Sequence, residues 1–514
     1  MNFIRKNWLF LVALIVPLFS YFVISFATPW GTGVTTDTIY YVSAARNLQQ
    51  GKGFLAINDD GNYEPLWRFP PVTSFVLWLT GAENSGFFLI NVVCLFLLLF
   101  FSGVYVFKKT GRVWTMLVVQ LLILFSHDFL IIFTMGWSEP IFLILTFGSL
   151  VLLGEYFEQK KTLYLVLSIF LAGITTLTRY AGLSFGIVYL CAFLFYEWPV
   201  TLKTIQKLVA IFVALVTPFI VWSIYLRYIL HGRSARNFGI HIINSAELSE
   251  GFRTVFSWIA PVAINKSLSG FLLLIGVSVT LYLCWKLYQN RTAVMRFSKE
   301  NIPFTLFLGF SLLYVFFIII TMSFFDELTP LDSRILSPAL LGTIVAVVLY
   351  LGQQKELQKK MIASIAMLGI LASILYAGTN VVLLQNKEGT ILADKTWSES
   401  GTIAYLQTLP ENIKVYSNGV AGVYVLGKHD VATLPFRINP TLELNKLYKL
   451  EIASLSQKAI KNPTYIVYFK PARFISTWHP DQKEFEEILT LELVKEFPDA
   501  IIYQVVPVLE KEKF

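Results

Sequence analysis

Charge is what this sequence most lacks. Of its 514 residues only 14% are Asp, Glu, Lys or Arg, while 55% are hydrophobic, and the mean hydropathy is +0.63. Soluble domains carry about a quarter charged residues, so this balance excludes an ordinary soluble protein and fits a chain built for lipid. Cysteine is nearly absent too. Cys94, Cys191 and Cys284 all lie inside apolar runs, a placement that predicts neither a disulfide framework nor a zinc centre. No internal repeat or low-complexity stretch stands out, which removes the usual signature of a repeat-built transporter. The net charge of +8 does not point to nucleic acid. Lys and Arg sit in short groups between apolar runs, the distribution that sets membrane topology.

Long apolar runs are what the chain has in abundance. The first, 8–27, follows Arg5 and Lys6 and resembles a signal peptide. Its span-sized length and lack of a small-residue cleavage site predict a retained helix instead, with its amino end in the cytoplasm. Further runs cover 86–107, 113–125, 141–157, 163–177, 182–195, 208–230, 268–288, 303–324, 335–351 and 361–384. Threading them alternately gives about eleven spans. The loops then sort by charge. Lys108, Lys109, Arg112, Lys160, Lys161, Lys203 and Lys207 fall on one side, with Arg291, Arg296, Lys299, Lys355, Lys359 and Lys360. These short basic loops make that side cytoplasmic. The long loops 28–85 and 231–267, and the chain beyond about 386, fall outside. Asn290-Arg291-Thr292 has the form of a glycosylation acceptor but lies on the expected cytoplasmic side.

From Asp394 onward no stretch is long enough to span. WSESGTIAYLQTLP reads as a helix from Ser398 or Ser400 to Leu409, IKVYSN and TYIVYFK read as short buried strands, and 442–455 has helical spacing. The alternation predicts a small α/β domain of about 120 residues outside the cytoplasm. The expected division is therefore a membrane domain over 1–390, including the first external loop 28–85, and a soluble extracytoplasmic domain over 391–514.

The first polar stretch to leave the apolar runs is TTDTIYYVSAARNLQQGKG, 35–53. Threonines and an aspartate open it and Gly51 and Gly53 close it, as helix start and stop signals do. Asp37, Tyr40, Tyr41, Ala44 and Leu48 share one helical face. The plain reading of Asp37 is a capping carboxylate. Further on, Glu139 in MGWSEPIF, Arg179 in TLTRYAGL and Arg334 in LDSRILSP sit near span ends. Alternation puts all three on the outer side with Asp37. Each alone fits a snorkelling or capping residue; four on one side point to a polar site. His127 and Asp128 near the same side read as a loop pair. Trp30, Trp67, Trp78 and Trp137 suit sugar stacking, but tryptophan belongs at membrane interfaces in any case.

These residues carry a family resemblance. DTIYYVSAARNLQQGKGF is similar to the Asp-x-x-x-Tyr-x-x-x-Ala-Arg-x-Leu-x-x-Gly-x-Gly pattern of the GT-C superfamily glycosyltransferases. The branch it resembles contains the protein O-mannosyltransferases and the lipid A aminoarabinose transferase. The proline-rich EPLWRFPPVTSFVLWL, the pair Ser138-Glu139 opening a membrane helix, and SRILSP match as well, although Ile335 stands where an aromatic is common. The resemblance implies a mainly α, polytopic GT-C-like fold and transfer of a sugar from a polyprenyl-phosphate carrier to an acceptor hydroxyl on the extracytoplasmic face, with inversion. It implies Asp37 as the base. Arg334, then Arg179 and Arg68, would bind the donor phosphate, since guanidinium forks match phosphate oxygens. Tyr40, Tyr41, Glu64 and Glu139 would line the sugar and acceptor site. No cofactor is predicted; a divalent metal is compatible with the chemistry, but no acidic pair stands directly beside Asp37 to support one. The expected partners are the lipid-linked donor, a lipid, glycan or protein acceptor, and the bilayer of a bacterial inner membrane. A transporter or flippase of lipid-linked sugars is the alternative, predicting charges along a path to both sides; a non-catalytic envelope scaffold of the same fold is another.

Overall fold

The computed structural model describes residues 2–232, 238–241, 243–258, 285, 289–325, 329–354, 357–410, 413–438, 443–470 and 478–507. The expected span 268–288, with Cys284, lies outside the described residues except at single positions. The chain divides into two compact units. One comprises Met1–Ala27, Trp67–Thr73 and Leu89–Lys387; the other comprises Thr28–Leu66, Ser74–Phe88 and Glu388–Phe514. The first loop, apart from Trp67–Thr73, thus groups with the tail rather than with the spans that flank it.

The membrane unit is helical because its apolar runs must satisfy their backbone groups internally once water is gone. Its helices include α1 (Asn2–Ala27) from the amino end. In the other unit α2 (Thr36–Gln49) and α3 (Val72–Leu79, whose first turn belongs to the membrane unit) follow. Then come α4 (Asn84–Thr110), α5 (Val113–Phe125), α6 (His127–Phe133), α7 (Glu139–Gln159), α8 (Thr162–Thr178), α9 (Ser184–Tyr196) and α10 (Leu202–Ile224). Later membrane helices are Ile302–Phe324, Ser333–Gln353 and Leu357–Glu388. Among the described residues seven helices are long and apolar enough to cross a membrane, or eight if α5 and α6, bent by 63°, form one broken span. α8 and the segment Tyr180–Tyr196 are apolar but shorter. The protein is a multi-pass membrane protein. Its core is aromatic. Phe147 packs on Phe307 with ring centroids 5.7 Å apart, and Phe310 on Tyr314 at 5.6 Å. Phe22, Leu163 and Phe170 turn outward, where lipid rather than water would meet them.

In the second unit, a two-stranded hairpin, β1 (Leu55–Ile57) and β2 (Tyr63–Pro65), follows α2. The tail folds into a five-stranded sheet in the order β4-β3-β5-β7-β6. Its strands are β3 (Lys414–Ser417), β4 (Val431–Thr433), β5 (Thr464–Phe469), β6 (Leu491–Glu496) and β7 (Ala500–Val505). The first two pairings are parallel and the last two antiparallel. The helix Tyr448–Lys461 crosses between β4 and β5 and buries Ile452 and Leu455 against Ile466, Ile501 and Tyr503. The α/β character expected of the tail is present, with three strands, β4, β6 and β7, beyond those read from sequence.

Candidate active site

Glu139 opens α7, with Pro140 next, a position where a missing N–H costs nothing. Its side chain is only 1% exposed. A carboxylate buried to that degree must be paired or neutral. It is paired twice: Arg179 Nη1 and Arg334 Nε both donate to its Oε1. Arg179 Nη1 also donates to Ser138 Oγ at 3.1 Å, and Ser138 Oγ donates to the second carboxylate oxygen at 3.4 Å.

Local backbone brings the three residues to one end of the bundle. α8 stops at Thr178 and Arg179 is extended, with φ −148° and ψ 141°. The following 3-10 turn, Tyr180–Leu183, folds back so closely that a Cβ on Gly182 would sit 2.5 Å from the Thr176 nitrogen. Arg334 lies in the first turn of Ser333–Gln353, whose cap is Asp332 accepting from Ile335 N at 2.9 Å. Its guanidinium carbon is 4.4 Å from the Trp137 ring centroid, a cation–π distance. Tyr180 donates to the Trp67 carbonyl at 2.9 Å, tying the Arg179 corner to the turn where Arg68 stacks at 5.4 Å on Trp67. Burial pushes the Asp332 carboxyl above its usual range, against the pull of the Ile335 N–H and the Arg334 charge. At the far end of α7, roughly 24 Å away by helical rise, Glu155 pairs instead with Lys108 and Lys109 at 3.3 and 3.0 Å.

In the second unit Asp37 stands in the first turn of α2 and is half-buried. Thr35 and Thr38 make the cap: Thr35 N donates to Thr38 Oγ1 at 3.0 Å. A first-turn carboxylate such as Asp37 also gains from the helix dipole. Tyr40 and Tyr41 are buried, and Tyr41 packs on Phe87 at 6.3 Å. Glu64 lies in β2 and is half-buried.

No family model matches the sequence, and no curated protein matches it. Solved structures do. The crystal structure of ArnT from Cupriavidus metallidurans bound to undecaprenyl phosphate aligns at a TM-score of 0.58 and 12% identity, over 97% of this chain and 98% of that one. The apo state of the same protein gives 0.56 and 12% over the same shares. The cryo-EM structure of the arabinofuranosyltransferase AftD from Mycobacteria gives 0.56 and 14%, covering 98% of this chain and 40% of its own. The chain has the GT-C fold.

Within this GT-C fold, Arg179, Arg334 and Glu139, all singled out from sequence, form one cluster, and Glu139 serves there as the shared anion of the two arginines. Trp137 beneath Arg334, Ser138, Tyr180 and Asp332 complete it. Sequence pointed to Trp137 as a sugar-stacking or interfacial ring and not as a partner of Arg334; its place two residues before Glu139 was the available signal. His127 Nδ1 and Asp128 Oδ1 are paired at 3.1 Å at the bend between α5 and α6. Among the described residues no group of three His, Cys, Asp or Glu is arranged to hold a metal ion.

Proposed function

We propose that this protein is an integral-membrane glycosyltransferase that moves a sugar from a polyprenyl-phosphate carrier to an acceptor hydroxyl on the extracytoplasmic face. The observation that carries the reading is the pair Arg179 and Arg334 sharing one buried carboxylate at a single end of the bundle. Guanidinium groups held in place before the reaction suit a phosphate whose charge grows as the sugar leaves. Their setting supports it, because the fold is that of ArnT, crystallised with undecaprenyl phosphate. The acceptor oxygen attacks the anomeric carbon, the bond from that carbon to the phosphate oxygen breaks, and the lipid departs as its phosphate. Asp37 takes the acceptor proton. Arg334 and Arg179, with Arg68 nearby, hold the phosphate, and Tyr40, Tyr41 and Glu64 serve the sugar or acceptor. Attack opposite the leaving group inverts the anomeric centre. Cation-rich short loops support a cytoplasmic amino end and an external tail in a bacterial inner membrane.

The test is transfer of labelled sugar from a panel of polyprenyl-phosphate donors by the purified chain, with Asp37→Asn alongside. General-base loss should lower kcat by about 100- to 10,000-fold while undecaprenyl phosphate still binds. Unchanged turnover removes Asp37 as base, and absence of transfer from every donor overturns the enzyme reading.

A further inference from the structure

The carboxy-terminal part grips the first loop at both ends of the helix that bears Asp37. At the amino end, Val34 N, just before the cap, donates to Ile391 O at 2.7 Å. At the carboxyl end, Arg46 Nη1 donates to Tyr424 O at 3.0 Å, and its Nη2 to Glu83 Oε2 at 2.9 Å. The guanidinium also lies 5.2 Å from the Tyr424 ring centroid. Lys428 reaches the other Glu83 oxygen at 3.4 Å. Between these grips α2 is fixed to its hairpin. Asn47 Nδ2 donates to Leu55 O at 2.9 Å, and Ile57 N to Ser43 Oγ at 3.2 Å.

The hairpin in turn seals the sheet. β4 is an edge strand, and an edge left open is a pairing hazard. Here Thr433 N donates to Asp59 O at 2.8 Å, Lys414 Nζ to Gly61 O at 2.9 Å, and Tyr63 Oη to Asp430 Oδ1 at 2.6 Å. Gly61 has φ +69°, and a Cβ there would meet Lys414 Nζ at 2.8 Å and the Ala432 nitrogen at 3.0 Å. Only glycine fits that approach without a shift. Burial pushes the half-buried Lys414 ammonium below its usual range.

We propose that the carboxy-terminal domain acts as a brace that sets the position of the Asp37 helix, with Arg46, Tyr63 and Lys414 as positioning residues for transfer. The proposal rests on Asp37 as base and assigns the domain a part in the same reaction. A carboxylate that must meet an acceptor proton works only within a narrow geometry, and a small misplacement from afar is costly. Two anchors on one short helix limit both its slide and its tilt.

The test uses the full chain in nanodiscs, with Tyr63→Phe, Arg46→Ala, Arg46→Lys and Gly61→Val. Hydrogen exchange is followed over 36–49, binding is measured with undecaprenyl phosphate, and kcat and KM with the donor active in the transfer assay. Tyr63→Phe and Arg46→Ala should raise exchange in 36–49 and lower kcat roughly 10- to 100-fold, with undecaprenyl phosphate affinity and KM within about twofold. Arg46→Lys, which keeps the charge on Glu83, should recover part of the turnover. Gly61→Val should act in the same direction and more strongly. Raised exchange with unchanged kcat, or unchanged exchange in every variant, overturns the brace. A fall in lipid affinity equal to the fall in kcat does so too, because it marks general unfolding. If Asp37→Asn turns over normally while the brace variants still lose kcat, the base assignment fails separately from the brace.

Discussion

Glu139 is a buried anion shared by two cations, and the three residues depend on one another. Removing one partner of a buried pair costs about 3–5 kcal/mol because the other charge is left unpaired. Glu139→Ala should therefore lower the thermal midpoint of the detergent-purified chain, and undecaprenyl phosphate should recover part of the loss by supplying the missing anion. A midpoint equal to wild type would show that the cluster carries no such load. Arg334→Lys keeps the charge but loses the planar fork and its stacking on Trp137. Its affinity for undecaprenyl phosphate should drop roughly tenfold, the value of about 1.4 kcal/mol. The residues themselves were visible in sequence because charges near span ends are costly and hence conspicuous. Their partnership was not, since Glu139 and Arg334 are 195 positions apart and no local pattern encodes such a meeting. Tyr424 and Asp430 escaped notice for the same reason: they look like ordinary tail residues until Arg46 and Tyr63 reach them.

Elements were read from sequence as well as their periodicity allowed. The run 113–125 became the helix Val113–Phe125, and the runs 86–107, 141–157, 335–351 and 361–384 gained two to four residues at each end. The run was read as ending at 125, and α6 beyond it was missed because Ser126, His127 and Asp128 interrupt the apolar stretch and read as a loop. The edge strand β6, with most of its side chains turned outward and a shifted register between Leu493 and Lys495, gave too little alternation to recognise. At this scale the tail also carries a pH response. His479 stacks at 4.6 Å on Phe436, and burial pushes its imidazole below the usual range, against the pull of the Pro435 and Leu434 carbonyls. A base with a depressed folded pKa binds fewer protons folded than unfolded. Its contribution is whole above about pH 6.5 and is lost as pH falls through the folded value. Exchange protection of β5 and of 435–438 in the full chain should thus decline as pH drops below that point. His479→Phe, which keeps the stacking but cannot titrate, should flatten the response; an equal decline in both would place the sensitivity elsewhere.

For the whole molecule, the reading stands or falls with orientation. The lipid-linked donor has its tail in the bilayer and its head at one surface, so the transfer machinery and the acceptor must share that surface. The distribution of charge supplies a physical reason to choose it: Lys108, Lys109, Lys160, Lys161 and Lys207 lie at the ends of helices remote from Glu139, or in the turns between them. Moving such clusters across an energised membrane is disfavoured, whereas a tail of mixed charge is not held back in the same way. Lys161 and Lys449 are both exposed and suit a direct comparison. With Lys161→Cys and Lys449→Cys made separately in the full chain, a membrane-impermeant maleimide applied to intact spheroplasts should label only the second above the parent background. Both should label after the membrane is opened. The reverse pattern would put the tail and the Asp37 loop in the cytoplasm, and with them every role assigned at the outer surface.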